Sequence, residues 1–90
     1  MPSYLVETFL PGGAAGERRA REERATAAAE AMTRMGTRVS FSGSIHVPED
    51  EICFYAFEAR TARDVALAAH QAGLAPLRVV AAISSPASSQ

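Results

Sequence analysis

"TRVSFSGSIHVPEDEICFYAFEA" (residues 37–59) reads as two strands joined by a turn. In its first half Val39, Phe41 and Ile45 alternate with Ser40, Ser42, Ser44 and His46, the two-residue period of a strand with one face covered. Pro48-Glu49-Asp50 supplies the turn. From Glu51 to Glu58 the chain returns, with Cys53, Tyr55 and Phe57 alternating with Ile52, Phe54 and Ala56. Both sets are apolar or aromatic, as on a strand whose two faces are both covered. The stretch is therefore a β-hairpin.

On either side of the hairpin the period changes. Between Ala15 and Met35 the pattern is helical: Ala28, Ala31, Met32 and Met35 recur on one side, Arg18/Glu22 and Arg19/Glu23 sit four apart on the exposed side, and Gly36 is placed to close the helix. The alternating signs of "ERRAREER" mark a solvated helix face. Thr61 with Asp64 forms a capping box that opens a second helix; Val65, Ala68, Ala69 and Ala72 line its inner side and Gly73 ends it. "SYLVETFL" (3–10) and "LRVVAAI" (77–83) are the outer strand candidates. "PGGAAGE" lacks the lysine and the spacing of a phosphate loop and reads as a linker.

Strand, helix, strand, strand, helix, strand is the split β-α-β order of the ferredoxin-like fold, of class α+β. It predicts one domain over residues 1–84, an antiparallel sheet in the order 4-1-3-2 with both helices on one face, and a disordered polar tail over 85–90. The open face would carry Leu5, Phe9, Ile52, Phe54 and Ala56, too apolar to be left in water. A homodimer through that face, forming an α+β barrel, is the expected remedy.

The bulk composition agrees with a small folded domain. Hydrophobic residues make up 48% and charged residues 21% of 90 positions, so disorder throughout is excluded. A net charge of −1 argues against a general nucleic-acid partner. One cysteine excludes an internal disulfide, and neither a leader pattern nor an 18-residue apolar run is present; a cytoplasmic location with no membrane partner is the expectation. All nine cations are arginine, which points to the codon bias of a GC-rich genome.

For chemistry, Glu7 on the first strand is the conspicuous carboxylate. With the serine row and His46 assigned to the open face, Glu7 pairs with His46 as the candidate acid/base couple, and Ser42, Tyr55 and Glu58 are candidate ligand contacts. Glu58 is placed too far from Glu7 for a carboxylate dyad. Cys53 is assigned to the core, since free cysteine is among the most buried residue types. His46, His70 and Cys53 show no metal-ligand spacing, so no metal or other cofactor is expected; Cys53 and His70 are the donors of last resort.

"YLVETFLPG", "VPEDEICFYAFEA" and "AGLAPLRVV" resemble, in sequence and spacing over residues 3–83, a family of short bacterial ferredoxin-like domains of unassigned function. An actinobacterial nickel-binding protein belongs to it. The resemblance implies the same fold and a dimer. It also implies where nickel ligands would fall: two histidines at Thr8 and Ala69, with His70 one step round the helix, and a cysteine at Tyr55. None of these ligand types is kept, so the resemblance implies a member without the nickel site. The expectation is a small-ligand-binding dimer with acid/base catalysis open to it; the alternatives are a divalent-metal (nickel) binder and an accessory dimer without catalysis.

Overall fold

Six main elements follow in the computed structural model, which describes residues 1–83: β1 (Ser3–Phe9), α1 (Glu17–Arg34), β2 (Val39–Val47), β3 (Ile52–Ala59), α2 (Ala62–Gln71) and β4 (Arg78–Ala82). Short 3₁₀ turns occupy Gly12–Ala14 and Pro48–Asp50. The strands form one antiparallel sheet in the order β2-β3-β1-β4, which is 4-1-3-2 read from the other edge. This is a ferredoxin-like α+β arrangement. The tail expected over 85–90 lies outside the described residues.

Local chemistry explains the boundaries. Both helices end in Schellman motifs. After α1, Thr37 N donates to Met32 O at 2.9 Å and Gly36 N to Thr33 O at 3.0 Å. After α2, Leu74 N donates to Ala69 O and Gly73 N to His70 O, both at 3.0 Å. Gly36 and Gly73 take the left-handed turn this requires, at φ of 102° and 70°. Thr61 caps α2 by accepting from Asp64 N at 3.1 Å, as the capping box predicts. α1 begins at Glu17 because the glycine-rich stretch before it spends its first three residues in a 3₁₀ turn.

The helices bury small residues against the sheet. α1 turns Ala25, Ala28, Ala29 and Met32 inward, and α2 turns Val65, Ala68 and Ala69. The stripe of α1 is thus rotated from the expected one: Ala31 is half-buried and Met35, at the C-cap, is exposed. Alanine lets the helices approach closely, so the sheet supplies the bulk: Val6, Cys53, Tyr55 and Phe57 are fully buried on the helix-facing side. Arg24 Nε donates to Ala72 O at 2.8 Å and ties α1 to the end of α2.

β2 departs from simple alternation. Its pairing runs from Phe41↔Phe57 to Gly43↔Ala56, so Ser42 and Gly43 together face one residue of β3. This is a β-bulge, and it reverses the phase of everything after it. Val39 and Phe41 face the helices before it; Ser44 and His46, opposite Tyr55 and Cys53, face the helices after it. Ile45 and Val47 move to the open face opposite Phe54 and Ile52. The expected row of Ser40, Ser42, Ser44 and His46 on a single face is therefore corrected: one extra residue divides it.

Gly43 holds φ at 153°, a value rarely taken by side-chain-bearing residues, while a methyl group there would meet nothing within 4 Å. A Gly43→Ala substitution therefore tests the backbone alone. It should cost roughly 1–2 kcal/mol in denaturant unfolding. Unchanged stability would mean that the bulge does not depend on the glycine.

Candidate functional site

The phase reversal collects polar groups between α1 and the sheet. One cross-strand row runs His46–Cys53–Thr8 over β2, β3 and β1, and the next runs Ser44–Tyr55–Val6. α1 lays Arg21 and Glu22 over them. These two residues precede Ala25 by four and three positions, so they continue the inward stripe of the helix.

Most of the layer is connected by hydrogen bonds. Ser44 donates to the Glu22 carboxylate. Thr8 Oγ1, fully buried, donates to Cys53 O at 2.9 Å. Arg21 Nη1 donates to Phe9 O at 3.2 Å and makes a long 3.4 Å contact with Thr8 Oγ1. His46 Nε2 lies 3.0 Å from Leu10 O, so in the neutral ring the proton sits on Nε2 and Nδ1 is left as an acceptor. The nearest carboxylate to the Arg21 guanidinium is that of Glu17, at 3.8 Å and largely exposed.

Tyr55 is the exception. Its side chain is fully buried, and its hydroxyl is the one buried side-chain polar atom without a hydrogen-bond partner among the described residues. Burial pushes the phenol up to about 12; the adjacent Cys53 thiol adds to the rise and the Arg21 guanidinium opposes it. Both groups lie close enough to act on the titration of the hydroxyl as hydrogen-bonding neighbours, but neither makes a hydrogen bond of ordinary geometry to it. The phenol stays protonated at neutral pH and is a donor facing no acceptor.

The expected site residues are thereby divided between two faces. Glu7 is on the open face, paired with Arg78 Nε at 2.5 Å, whereas His46 is on the helix side. The Glu7–His46 couple is not assembled within one chain. Glu58 is exposed, opposite Ser3 at the far end of β1, as its distance from Glu7 requires. Ser42 is exposed at the bulge and meets neither. Tyr55 and Cys53 are both interior, while His70 is exposed at the end of α2. No group of three or more His, Cys, Asp or Glu side chains converges in a metal-binding geometry among the described residues. Thr8, Tyr55 and Ala69, where the resemblance would place nickel ligands, are all fully buried.

A groove lies beside this layer. It has a volume of about 410 Å³ between α1 and the edge strand β2, lined by Ala29, Thr33, Val39 and Phe41 with Glu30 and Arg34 at its rim. Phe41, one of its lining residues, also packs at a tilt against Tyr55, with ring centroids 6.3 Å apart.

Arg21, Glu22 and Thr8 were not among the expected site residues. Two signals in the sequence point to them: a glycine inside a strand pattern, which marks a bulge, and the backward extension of the Ala25–Met32 stripe. Family models, curated proteins and solved structures yield no match to this chain.

Proposed function

We propose that this chain is a small-ligand-binding domain whose site is the polar layer beneath the first turns of α1, and that it works as a homodimer joined through its open sheet face. The Tyr55 hydroxyl carries the reading. Leaving a buried hydroxyl unpaired costs about 1–3 kcal/mol, and five polar side chains from three other elements, Thr8, Arg21, Glu22, Ser44 and His46, make up the layer that holds it. A ligand that supplies the missing acceptor recovers that cost only when bound. The groove lined by Phe41, whose ring packs against Tyr55, is a neighbouring recess of the mostly apolar kind that small molecules favour.

The open face supports the second half of the reading. Leu5, Phe9, Ile45, Ile52, Phe54 and Val80 share it, with Phe9 52% and Ile45 60% exposed. Four strands of this length present roughly 450 Å² of flat sheet. With side-chain relief, two such faces bury about 1,000–1,200 Å² in total, enough for a specific interface at the small end of the range.

A fragment screen followed by NMR shifts tests the ligand site. Hits should shift the signals of Tyr55, Ser44 and Phe41, and the Tyr55→Phe protein should lose them. A screen with no hits, or with hits confined to the open sheet face, rejects the reading and leaves an accessory dimer.

A further inference from the structure

Hydrogen-bond capacity in the polar layer is unbalanced in one direction. Thr8 and Ser44 both spend their hydroxyl protons on protein acceptors. The Glu22 carboxylate is engaged by Ser44 on the β2 side. What is left over is donor capacity: the Tyr55 hydroxyl, with no acceptor, and the remaining N–H groups of the Arg21 guanidinium, whose Nη1 donates to Phe9 O and whose Nη2 makes only a long 3.8 Å ion pair with the largely exposed Glu17. Arg21 and Glu22 are adjacent on the helix and project about 100° apart, so the carboxylate of Glu22 does not neutralise the β1 side of the layer where Arg21 lies.

From this imbalance we infer that the ligand of this site is a small monocarboxylate, with one oxygen accepting from Tyr55 Oη and the other from Arg21. The inference rests on the ligand-site reading above and names its chemical class. A carboxylate fits for three reasons. Its two coplanar oxygens can serve two donors at once, and a planar guanidinium matches that geometry. A phenol that stays protonated donates well to an anion. A dianion such as phosphate would bring a second buried negative charge that the single Arg21 guanidinium does not match.

Tyr55 Oη has no opening to solvent, so a ligand enters only when an element moves. The linker from Leu10 to Gly16 is the element best suited. It contains Gly12, Gly13 and Gly16, and His46 holds it to β2 through Leu10 O. Its only close side-chain neighbour at Gly12 is Pro48, 3.4 Å from where a Cβ would lie.

The test is an NMR titration of the full chain at constant ionic strength, replacing chloride by formate or acetate, with acetamide as the neutral isostere and inorganic phosphate as a further arm. Formate or acetate should give saturable shifts at Tyr55 and at the Arg21 side-chain N–H. Tyr55→Phe and Arg21→Gln should each weaken that binding about tenfold or more, the loss expected for a hydrogen bond to a charged group, and Arg21→Lys should restore part of it. Amide spectra of the variants establish that each is folded. Acetamide binding as tightly as acetate would overturn the carboxylate assignment while leaving a ligand site in place. Phosphate binding more tightly than acetate would overturn it too. No saturable shift with any of the four, or Tyr55→Phe binding acetate like the wild type, would overturn both.

Discussion

Replacing Phe54 with Glu should convert the proposed dimer to a monomer. Phe54 sits mid-strand on β3 opposite Glu7 and Ile45, on the face that the helices do not cover. Within one protomer it is only half-buried, so a charged side chain there can reach water and the monomer still folds. Between two stacked sheets the same carboxylate would lose its hydration, and it would lie beside Glu7 with only Arg78 to offset both. Burying an unpaired charge costs several kcal/mol, so the dissociation constant should rise at least about a hundredfold. Sedimentation equilibrium measures this directly. Leu67→Glu, on the exposed side of α2, is the control that should leave the mass unchanged. A wild-type protein that sediments as a monomer at about 100 µM would remove the dimer from the account.

Tyr55→Phe should stabilise the ligand-free protein, the reverse of the usual outcome for a buried tyrosine. Phenylalanine keeps the ring that stacks on Phe41 and removes only the hydroxyl that has no partner. The gain should be roughly 1–2 kcal/mol in denaturant unfolding, the desolvation cost of one unpaired hydroxyl. The same substitution predicts a change in pH dependence. The folded phenol is raised from 10.0 to about 12, chiefly by burial, so above pH 10 the unfolded chain gives up this proton first. Stability from this group is complete below pH 10 and is lost as pH rises through 12. A shift of that size corresponds to about 3 kcal/mol across the interval. The difference between wild-type and Tyr55→Phe unfolding curves isolates this one group from others that titrate there. If Tyr55→Phe instead destabilises the protein by more than about 1 kcal/mol, its hydroxyl is satisfied, and the vacancy on which the ligand reading rests does not exist.

How much of this was legible in the sequence depends on which residues are asked about. The element order was, because each boundary carries its own local chemistry: Gly36 and Gly73 close the helices, Thr61 caps α2, and Pro48 starts the turn of the hairpin. The inward set of β3 was legible too, since strict alternation of Cys53, Tyr55 and Phe57 leaves one choice of face once the helices are placed. The site was not. Alternation can be extrapolated along a strand only while the strand stays regular, and Gly43 breaks β2 in its middle. Everything assigned beyond it, His46 above all, took the wrong face, and the proposed partnership of Glu7 with His46 went with it.

A second reason concerns α1. "ERRAREER" shows alternating charge, and alternating charge usually marks a solvated surface. Here the inward stripe continues through the charged run, carrying Arg21 and Glu22 toward the sheet while Arg18, Arg19 and Glu23 stay exposed. Helical phase decides this, and the residue types do not. Long side chains let Arg21 reach Phe9 O and Thr8 while its stem packs along the helix. The open face illustrates the opposite case, in which residue type was sufficient: apolar residues on both faces of β3 leave an uncovered surface whatever the details of packing.

Whether a ligand completes the hydrogen bonding of Tyr55 can be read from the electron density around Tyr55 Oη in two high-resolution crystal structures, one of the protein purified without added carboxylates and one of the same crystals soaked in formate. The soaked crystal should show a planar, two-oxygen feature bridging Tyr55 Oη and the Arg21 guanidinium. A single ordered water there in both crystals, or a protein acceptor turned onto the hydroxyl, would contradict the ligand reading.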